Sequence, residues 1–273
     1  MRIFCSVHTH SILCDGKSTL AEMAAAACEA GAVSFGASGH SHTSIPHDAG
    51  NVLPPDPAAY RAEVLRLREV YRGRMDVLLG IEQDSCADGP VPDWADYWIG
   101  SVHNLLGPGG AYCAMDWDES RFQAAVEALS PGDVLGLAER YYDAVAETAR
   151  QKPTILGHID LITKFNEGGR FFDEAAPRYR AAALAALRAA DPAATLLEVN
   201  TGAMSRGWRT SPYPALFLLE AWRDMGGRII LTADAHSAET IVYGYGQAAE
   251  LAEAAGSDRA AVLTAGGIVE QPL

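Results

Sequence analysis

The chain has 273 residues, of which 49% are hydrophobic and 21% are charged, and its formal net charge is −14 with neutral histidines. This composition predicts an ordinary globular protein, and the length suits a single domain over residues 1–273, because α/β barrels of about 250 residues are routinely single units. So acidic a chain repels nucleic-acid backbone and anionic membranes, which argues against a nucleic-acid polymer or a membrane as partner.

The cysteines favour a reducing compartment. There are five of them, scattered along the chain with no CxxC pair, which predicts reduced thiols and a cytoplasmic protein. The first residues, MRIFCSV, lack the long apolar segment of a secretory signal. No window approaches eighteen consecutive apolar residues, so the sequence predicts no membrane span.

Short apolar runs alternate with longer helical patterns along the chain. Strands are predicted at 2–7, 32–38, 75–82, 97–103, 153–158, 195–200 and 227–234. Their richness in Val, Ile, Leu and Phe is typical of strands buried on both faces. Helices are predicted at 18–31, 56–71, 118–129, 132–151, 172–191 and 213–227. The first of these has a Ser/Thr cap and ends at Gly31.

The alternation itself indicates the architecture. Strand and helix repeated about seven times imply a parallel sheet that closes into a (β/α) barrel, with an open doubly wound sheet as the alternative. The Pro-rich segments 50–57 and 87–94 and the segment 107–118 are predicted to be loops inside the domain.

Most of the eight histidines follow predicted strands, and several acids share their positions. These residues are His8, His10, Asp15, His40, Glu82, His103, His158, Asp234 and His236. In a parallel barrel the carboxyl ends of the strands meet on one face, so we expect these side chains to surround one cavity. Residues two apart in a strand point the same way, so His8 and His10 can bind one ion from one side.

Imidazole and carboxylate groups are usual ligands of divalent zinc, iron or manganese. So many of them at one place would be poorly solvated without cations, and the joint pattern predicts a polynuclear metal site. His42 and His47 fit less well, and a polar loop explains them equally well.

The motifs around these residues resemble those of a known family. HTH at 8–10, GH at 39–40, GIE at 80–82, SVH at 101–103, LGHIDL at 156–161 and DAH at 234–236 match, in order, those of the polymerase and histidinol phosphatase (PHP) superfamily. LGHIDLITKF, followed by EVNTGAMSR and YP, resembles the histidinol-phosphate phosphatase branch. Because the match runs over almost the whole chain, we expect a stand-alone enzyme rather than a polymerase domain.

The resemblance implies a distorted (β/α)7 TIM-like barrel with two or three divalent ions (Zn, Mn or Fe) at the carboxyl ends of its strands. The first ion would be held by His8, His10, Glu82 and Asp234. Glu82 would bridge to a second ion, completed by His103 and His158. Asp15, His40 and His236 would hold the third. Relatives often have an acid before the equivalent of His40, and Gly39 stands there in this chain, so we expect altered surroundings and weaker binding of the third ion.

Such a cluster suits phosphoester hydrolysis. Metal ions lower the pKa of a bridging water, hold phosphate oxygens and neutralise charge on the phosphoryl group, so a metal-bridging hydroxide would attack without a Ser or Cys nucleophile. Lys164 and Arg206 match family positions that face the substrate phosphate, with Arg209 as a substitute for Arg206. His236 or Asp160 is the candidate general acid, although capping is the more ordinary role for Asp160.

Three functions remain open on the sequence. The first is hydrolysis of L-histidinol phosphate in histidine biosynthesis, for which an acid such as Asp84, Asp160 or Glu167 would face the cationic alcohol. The second is a phosphoesterase for nucleotides, phosphotyrosine or other small esters. The third is a non-catalytic metal-binding barrel, which the complete set of ligands disfavours. The sequence indicates a small phosphorylated metabolite as partner and leaves the oligomeric state open.

Overall fold

The computed structural model describes residues 4–273, and a curved parallel sheet forms its centre. The strands are β1 Cys5–Ser6, β2 Ser34–Ala37, β3 Asp76–Asp84, β4 Tyr97–Ser101, β5 Asn104–Leu106, β6 Tyr112–Ala114, β7 Ile155–Leu156, β8 Leu196–Asn200, β9 Arg228–Thr232, β10 Arg259–Thr264 and β11 Gly267–Pro272. Each of the predicted strands is present with shifted ends. Residues 2 and 3 of the first one lie outside the described residues.

Helices connect the strands and cover the outside of the sheet. They are α1 Leu20–Ala30, α2 Ala58–Val70, α3 Glu119–Leu129, α4 Val134–Arg150, α5 Pro177–Arg188, α6 Gly202–Ser205, α7 Leu216–Asp224 and α8 Tyr245–Ala254. The predicted ends of α1 are confirmed, because Thr19 and Glu22 form a reciprocal capping box and Gly31 is left-handed with φ of 88°. Within the described chain, no helix has the length and apolar character needed to cross a bilayer.

The sheet closes on itself at its carboxyl end. The strand order is β1-β2-β3-β4-β7-β8-β9-β10-β11, and every pairing from β1 to β9 is parallel. Just beyond β1 and β9, Thr9 and Ala235 form a parallel bridge, in which the backbone N–H of His10 donates to Ala235 O at 2.8 Å. The predicted TIM-like (β/α)7 barrel is therefore confirmed, and the open doubly wound sheet is wrong.

Two hairpins and two helices were not predicted. β5 and β6 form an antiparallel hairpin, and β6 lies inside the segment 107–118 that was predicted to be a loop. β10 and β11 form a second hairpin, joined to the edge of β9 through a single parallel pair. Short strands with alanine, glycine or cysteine have weak intrinsic β preference, so only their pairing partners stabilise them. The four-residue helix α6 and the helix α8 are the other unpredicted elements.

The barrel interior explains why its polar residues are at one end. Tyr97 occupies the interior, and its hydroxyl donates to Val7 O at 2.6 Å. A Cβ on either Gly36 or Gly80 would lie 2.3 Å from the Tyr97 ring or hydroxyl, so both positions require glycine. Apolar side chains thus fill the barrel below the carboxyl ends of the strands, and the histidines and acids lie above this layer.

Candidate metal centre and active site

The nine side chains predicted as metal ligands lie together at the carboxyl end of the barrel. Seven of them line one cavity of about 340 Å³: Asp15, His40, Glu82, His103, His158, Asp234 and His236. His8 and His10 are completely buried and lie within ion-pair distance of Glu82 and Asp234. Residues from all over the chain therefore share one site.

Glu82 lies between His8 and His10, which follow β1, and the rest of the cluster. Its Oε2 lies 3.2 Å from Nε2 of His8, 3.3 Å from Nε2 of His10 and 3.0 Å from Nδ1 of His40. Asp234 Oδ1 lies 3.6 and 3.3 Å from the same Nε2 atoms of His8 and His10. Thr9 lies between His8 and His10 in the sequence, and its side chain points away from the cluster and donates to Gly36 O. This is the alternation that the HTH motif predicts.

The other oxygen of Glu82 faces different histidines. Its Oε1 lies 3.0 Å from Nε2 of His158 and 3.5 Å from Nε2 of His103. Asp84, two residues further along β3, accepts from both the backbone N–H and Nδ1 of His103 at 2.9 Å. The two oxygens of Glu82 thus contact two different groups of imidazoles, as a ligand that bridges two metal ions would.

A third group lies at the cavity mouth. Asp15 Oδ2 is 2.9 Å from Nε2 of His236 and 3.5 Å from Nε2 of His40. Asp15 Oδ1 is 3.4 Å from Nδ1 of His10. His10 therefore contacts both this group and the one around Glu82.

The acids of the cluster remain charged in spite of their burial. Burial opposes ionisation of Glu82, Asp234 and Asp15, but neighbouring imidazoles, with Arg206 beside Asp234, hold the pKa of each carboxyl well below its usual range. Burial and the adjacent histidines lower the pKa of His10 to about 3, so its imidazole is neutral. Anionic oxygens and a neutral imidazole nitrogen are the donor set that divalent metals require.

Unsatisfied atoms in the cluster fit bound cations. Within residues 4–273, no hydrogen-bond partner is present for the buried Nε2 atoms of His8 and His10 or for Oε2 of Glu82. Buried polar atoms normally have partners, so these atoms fit metal ligation. Groups with ligand atoms within 4.8 Å of one another are His8, His10 and Glu82; His8, His158 and Asp234; His40, Glu82 and His103; and His10, Asp15, His40 and His236.

Comparison with known proteins decides the family. The PHP domain family model matches residues 5–202. The chain belongs to this family. A protein of Deinococcus radiodurans named "Probable histidinol-phosphatase" is 32% identical over 246 residues, covering 85% of this chain and 86% of that protein. The Bacillus subtilis protein named "Histidinol-phosphatase" is 26% identical over 203 residues, covering 68% and 73%.

A solved structure shows the same fold. It is a histidinol phosphate phosphatase from Lactococcus lactis complexed with Zn, L-histidinol and phosphate, with a TM-score of 0.67 and 17% sequence identity. The alignment covers 98% of this chain and 98% of that one.

Both predicted phosphate-binding cations line the cavity of this PHP domain. Lys164 Nζ donates to the backbone oxygen of Asp116 at 2.6 Å and lies 3.1 Å from its carboxylate. Arg206 donates to Asp234 and to Nδ1 of His236. Arg209 instead donates to Thr163 O and Glu174, and it is not among the described residues that line the cavity, so it is poorly placed to substitute for Arg206.

Asp160 is buried away from the cavity. Its Oδ2 accepts from the backbone N–H of Ala215, the residue just before α7, at 2.7 Å. Burial raises the pKa of Asp160 to about 6. Asp160 is not among the described residues that line the cavity, and its side chain makes no capping hydrogen bond to the short helical turn that follows it. Its role as general acid stays a prediction. Glu167, exposed and bonded to Thr210, is absent from the same set.

The loop histidines and Gly39 behave as ordinary structural residues. His42 Nδ1 pairs with Leu53 O at 3.0 Å, and His47 Nε2 pairs with Asn104 Oδ1 at 2.8 Å. A Cβ on Gly39 would lie 3.2 Å from the Leu53 side chain. The space that an acidic side chain would enter at position 39 is thus bordered by an apolar residue.

Several cavity residues were not predicted from the sequence, because they lie in connecting segments without a motif. Among these lining residues, Asp48 accepts from Thr43 Oγ1 and Asn104 Nδ2, while Asp116 and Trp117 follow β6. Glu198 was also missed, although an acid in the middle of the buried run TLLEVN is itself an unusual signal.

Proposed function

We propose that this PHP-domain protein is a metal-dependent phosphomonoester hydrolase whose substrate is L-histidinol phosphate, with L-histidinol and phosphate as products. The observation that carries the proposal is the grouping of nine imidazole and carboxylate side chains at one end of the barrel, where seven of them line one cavity together with Lys164 and Arg206. The names of the two relatives and the ligands of the Lactococcus lactis structure support the choice of substrate.

We propose the ligand sets that the family motifs imply, with two or three divalent ions. His8, His10, Glu82 and Asp234 hold the first. Glu82, His103 and His158 hold the second. Asp15, His40 and His236 hold the third. The three sets lie close together, because His10 also reaches this last group, His158 lies with His8 and Asp234, and His40 lies with Glu82 and His103. When bound, such ions activate water at neutral pH and neutralise charge on the phosphoryl group, so no Ser or Cys nucleophile is required.

The residues around the cluster bind and orient the ester. Arg206 is anchored by Asp234 and His236, and its guanidinium forms a rigid fork for phosphate oxygens. Lys164 supplies a second, point-like positive charge. His236 lies at the cavity mouth, and with Asp160 placed elsewhere it is the preferred group for delivering a proton to the departing alkoxide.

Acidic side chains that line the cavity suit a cationic alcohol. Asp48 and Asp116 are among them, although the Asp116 carboxylate also pairs with Lys164, and the half-exposed indole of Trp117 lines the same cavity. L-histidinol carries an ammonium group and an imidazole ring. Carboxylates attract the ammonium group, and an aromatic face suits the ring. The same carboxylates repel the additional phosphates of a nucleotide or oligonucleotide.

A substrate panel tests the proposal. Purified protein, loaded separately with Mn, Fe or Zn, is assayed with L-histidinol phosphate, phosphoethanolamine, propyl phosphate, a nucleoside monophosphate and phosphotyrosine. We expect kcat/KM to be highest for L-histidinol phosphate by at least a factor of about ten, the value of roughly one lost charged hydrogen bond. Faster turnover of the nucleotide or of phosphotyrosine would identify that ester, instead of L-histidinol phosphate, as the substrate. Absence of turnover with every ester and metal would favour the non-catalytic barrel.

We further propose that residues 1–273 act as one domain and work in the cytoplasm, as a histidine-biosynthetic step would require. The five cysteines are free in the structure, in keeping with a reducing compartment.

A further inference from the structure

Glu198 is a completely buried carboxylate that is absent from the proposed ligand sets. It lies in the middle of β8, below the cavity floor. Its two oxygens accept from four groups of the protein, so they are directed at neighbouring residues rather than into the cavity. These donors are Nδ1 of His8, Oγ1 of Thr232, the backbone N–H of His158 and Nδ2 of Asn200.

The first oxygen sets the orientation of His8. Oε1 of Glu198 lies 2.5 Å from Nδ1 of His8 and 2.7 Å from Oγ1 of Thr232. Because Nδ1 is held by this contact, the free nitrogen of the ring is Nε2, which faces Glu82 Oε2 at 3.2 Å and Asp234 at 3.6 Å. A carboxylate behind a histidine is the usual way to fix the ring for metal ligation.

The second oxygen reaches another part of the cluster. Oε2 of Glu198 accepts from the backbone N–H of His158 at 2.6 Å and from Asn200 at 3.0 Å. This contact holds the end of β7, from which His158 extends to Oε1 of Glu82 at 3.0 Å. Glu198 thus touches one proposed ligand of the first ion and one of the second.

Asp84 provides the contrast within the same site. Its contacts to the cluster are limited to one histidine, because Oδ2 accepts from both nitrogen donors of His103 and Oδ1 accepts from Cys86. A change at Asp84 should therefore disturb the second ion alone, whereas a change at Glu198 should disturb two.

We propose that Glu198 is a positioning residue that couples the first and second metal half-sites, through the ring of His8 and the backbone of His158. The inference rests on the ligand sets of the proposed function. It makes no claim about substrate.

Metal binding to the Glu198→Gln chain tests this coupling. Chelator-treated protein is titrated with Zn²⁺ against a chromophoric competitor, and bound zinc is counted by elemental analysis. Glutamine keeps the size but has one acceptor oxygen, so it cannot serve both His8 and the His158 backbone. We expect the affinity of both half-sites to fall together by about 10- to 100-fold. Asp84→Asn, the matched control, should weaken one zinc only.

The outcomes separate this inference from the proposed function. Unchanged zinc binding by Glu198→Gln, or loss of one zinc as in the control, would overturn the coupling. Circular dichroism of metal-free Glu198→Gln shows whether this variant folds. If it does not fold, Thr232→Val replaces it in the test, because this change removes one hydrogen bond to Glu198. Unchanged zinc affinity in Thr232→Val would overturn the inference. A wild-type protein that binds zinc in this way but hydrolyses no ester would contradict the function and leave the coupling intact.

Discussion

The guanidinium of Arg206 lies 3.0 Å from Oδ2 of Asp234, a side chain of the proposed metal cluster. The same arginine donates to Nδ1 of His236 at 3.0 Å. Arg206 is thus held against the cluster by two of its members, with its charge at the cavity wall. A phosphate oxygen that approaches the cluster from the cavity meets the arginine and the proposed metal ligands side by side.

Arg206→Ala should mainly raise KM for L-histidinol phosphate. If the arginine grips phosphate equally in the ground and transition states, its loss costs about 1.5–3 kcal/mol, or roughly ten- to a hundredfold in KM. Steady-state kinetics measure this change. Arg209→Ala is the matched control, because that arginine points to Thr163 and Glu174. Unchanged KM and kcat in Arg206→Ala would remove the residue from the site.

His10→Ala should lower activity by several orders of magnitude and reduce bound metal. The imidazole contacts Glu82, Asp234 and Asp15, so its removal takes a donor from more than one group. Elemental analysis and turnover are measured on the same sample. His42→Ala, a histidine outside the cavity lining, should retain both properties. Full metal content with normal turnover in His10→Ala would refute the ligand assignment.

Removal of metal should destabilise the fold reversibly. Without cations, the anionic carboxylates and unpartnered imidazole nitrogens remain buried together. At a zinc concentration a hundred times Kd, binding to the native state alone adds about 2.7 kcal/mol to the free energy of unfolding. Thermal unfolding with chelator, and after zinc is restored, measures the shift. An identical Tm in both states would contradict a metal centre in this cluster.

Asp48→Asn should change substrate preference more than overall catalysis. Loss of the carboxylate removes attraction for the ammonium group of L-histidinol phosphate but leaves the hydrogen-bonding shape of the side chain. We expect kcat/KM for this ester to fall about tenfold more than for propyl phosphate. Asp56→Asn, an equal charge change on an exposed residue of the neighbouring loop, controls for net charge. Equal losses for both esters would exclude Asp48 from recognition of the alcohol.

Asp160→Asn should alter how stability depends on pH. Burial raises the pKa of Asp160 to about 6, so the folded protein retains its proton at pH values where the unfolded chain has lost it. Protonated Asp160 therefore costs the fold no stability below the pKa of the unfolded chain, and the wild-type protein loses stability as the pH rises from that value through 6. Relative to wild type, the variant should gain about 3 kcal/mol between pH 4 and 7. Denaturant unfolding of both proteins across this pH range measures the change, and a pH-independent difference would contradict it.

Much of the fold was predictable because its signals are local. The runs that became β2, β3, β4, β8 and β9 consist of residues that prefer buried strands, and the Thr19 cap and Gly31 stop depend on neighbours within one turn. The hairpin of β5 and β6 was missed because short strands there depend on pairing with each other.

By itself, the sequence determined which residue types stand at the strand ends and how they are spaced, and hence a barrel with a cluster of potential metal ligands. Alternation along the extended segment predicted for the first strand is enough to place His8 and His10 on one side. Only the tertiary structure decided which distant side chains meet. Of the three predicted acids, Asp84 lines the cavity, whereas Asp160 and Glu167 do not; Asp48 and Asp116 line it as well, and Glu198 lies behind His8. The reason is that these contacts join elements up to 190 residues apart, and their geometry depends on barrel closure rather than on any local preference.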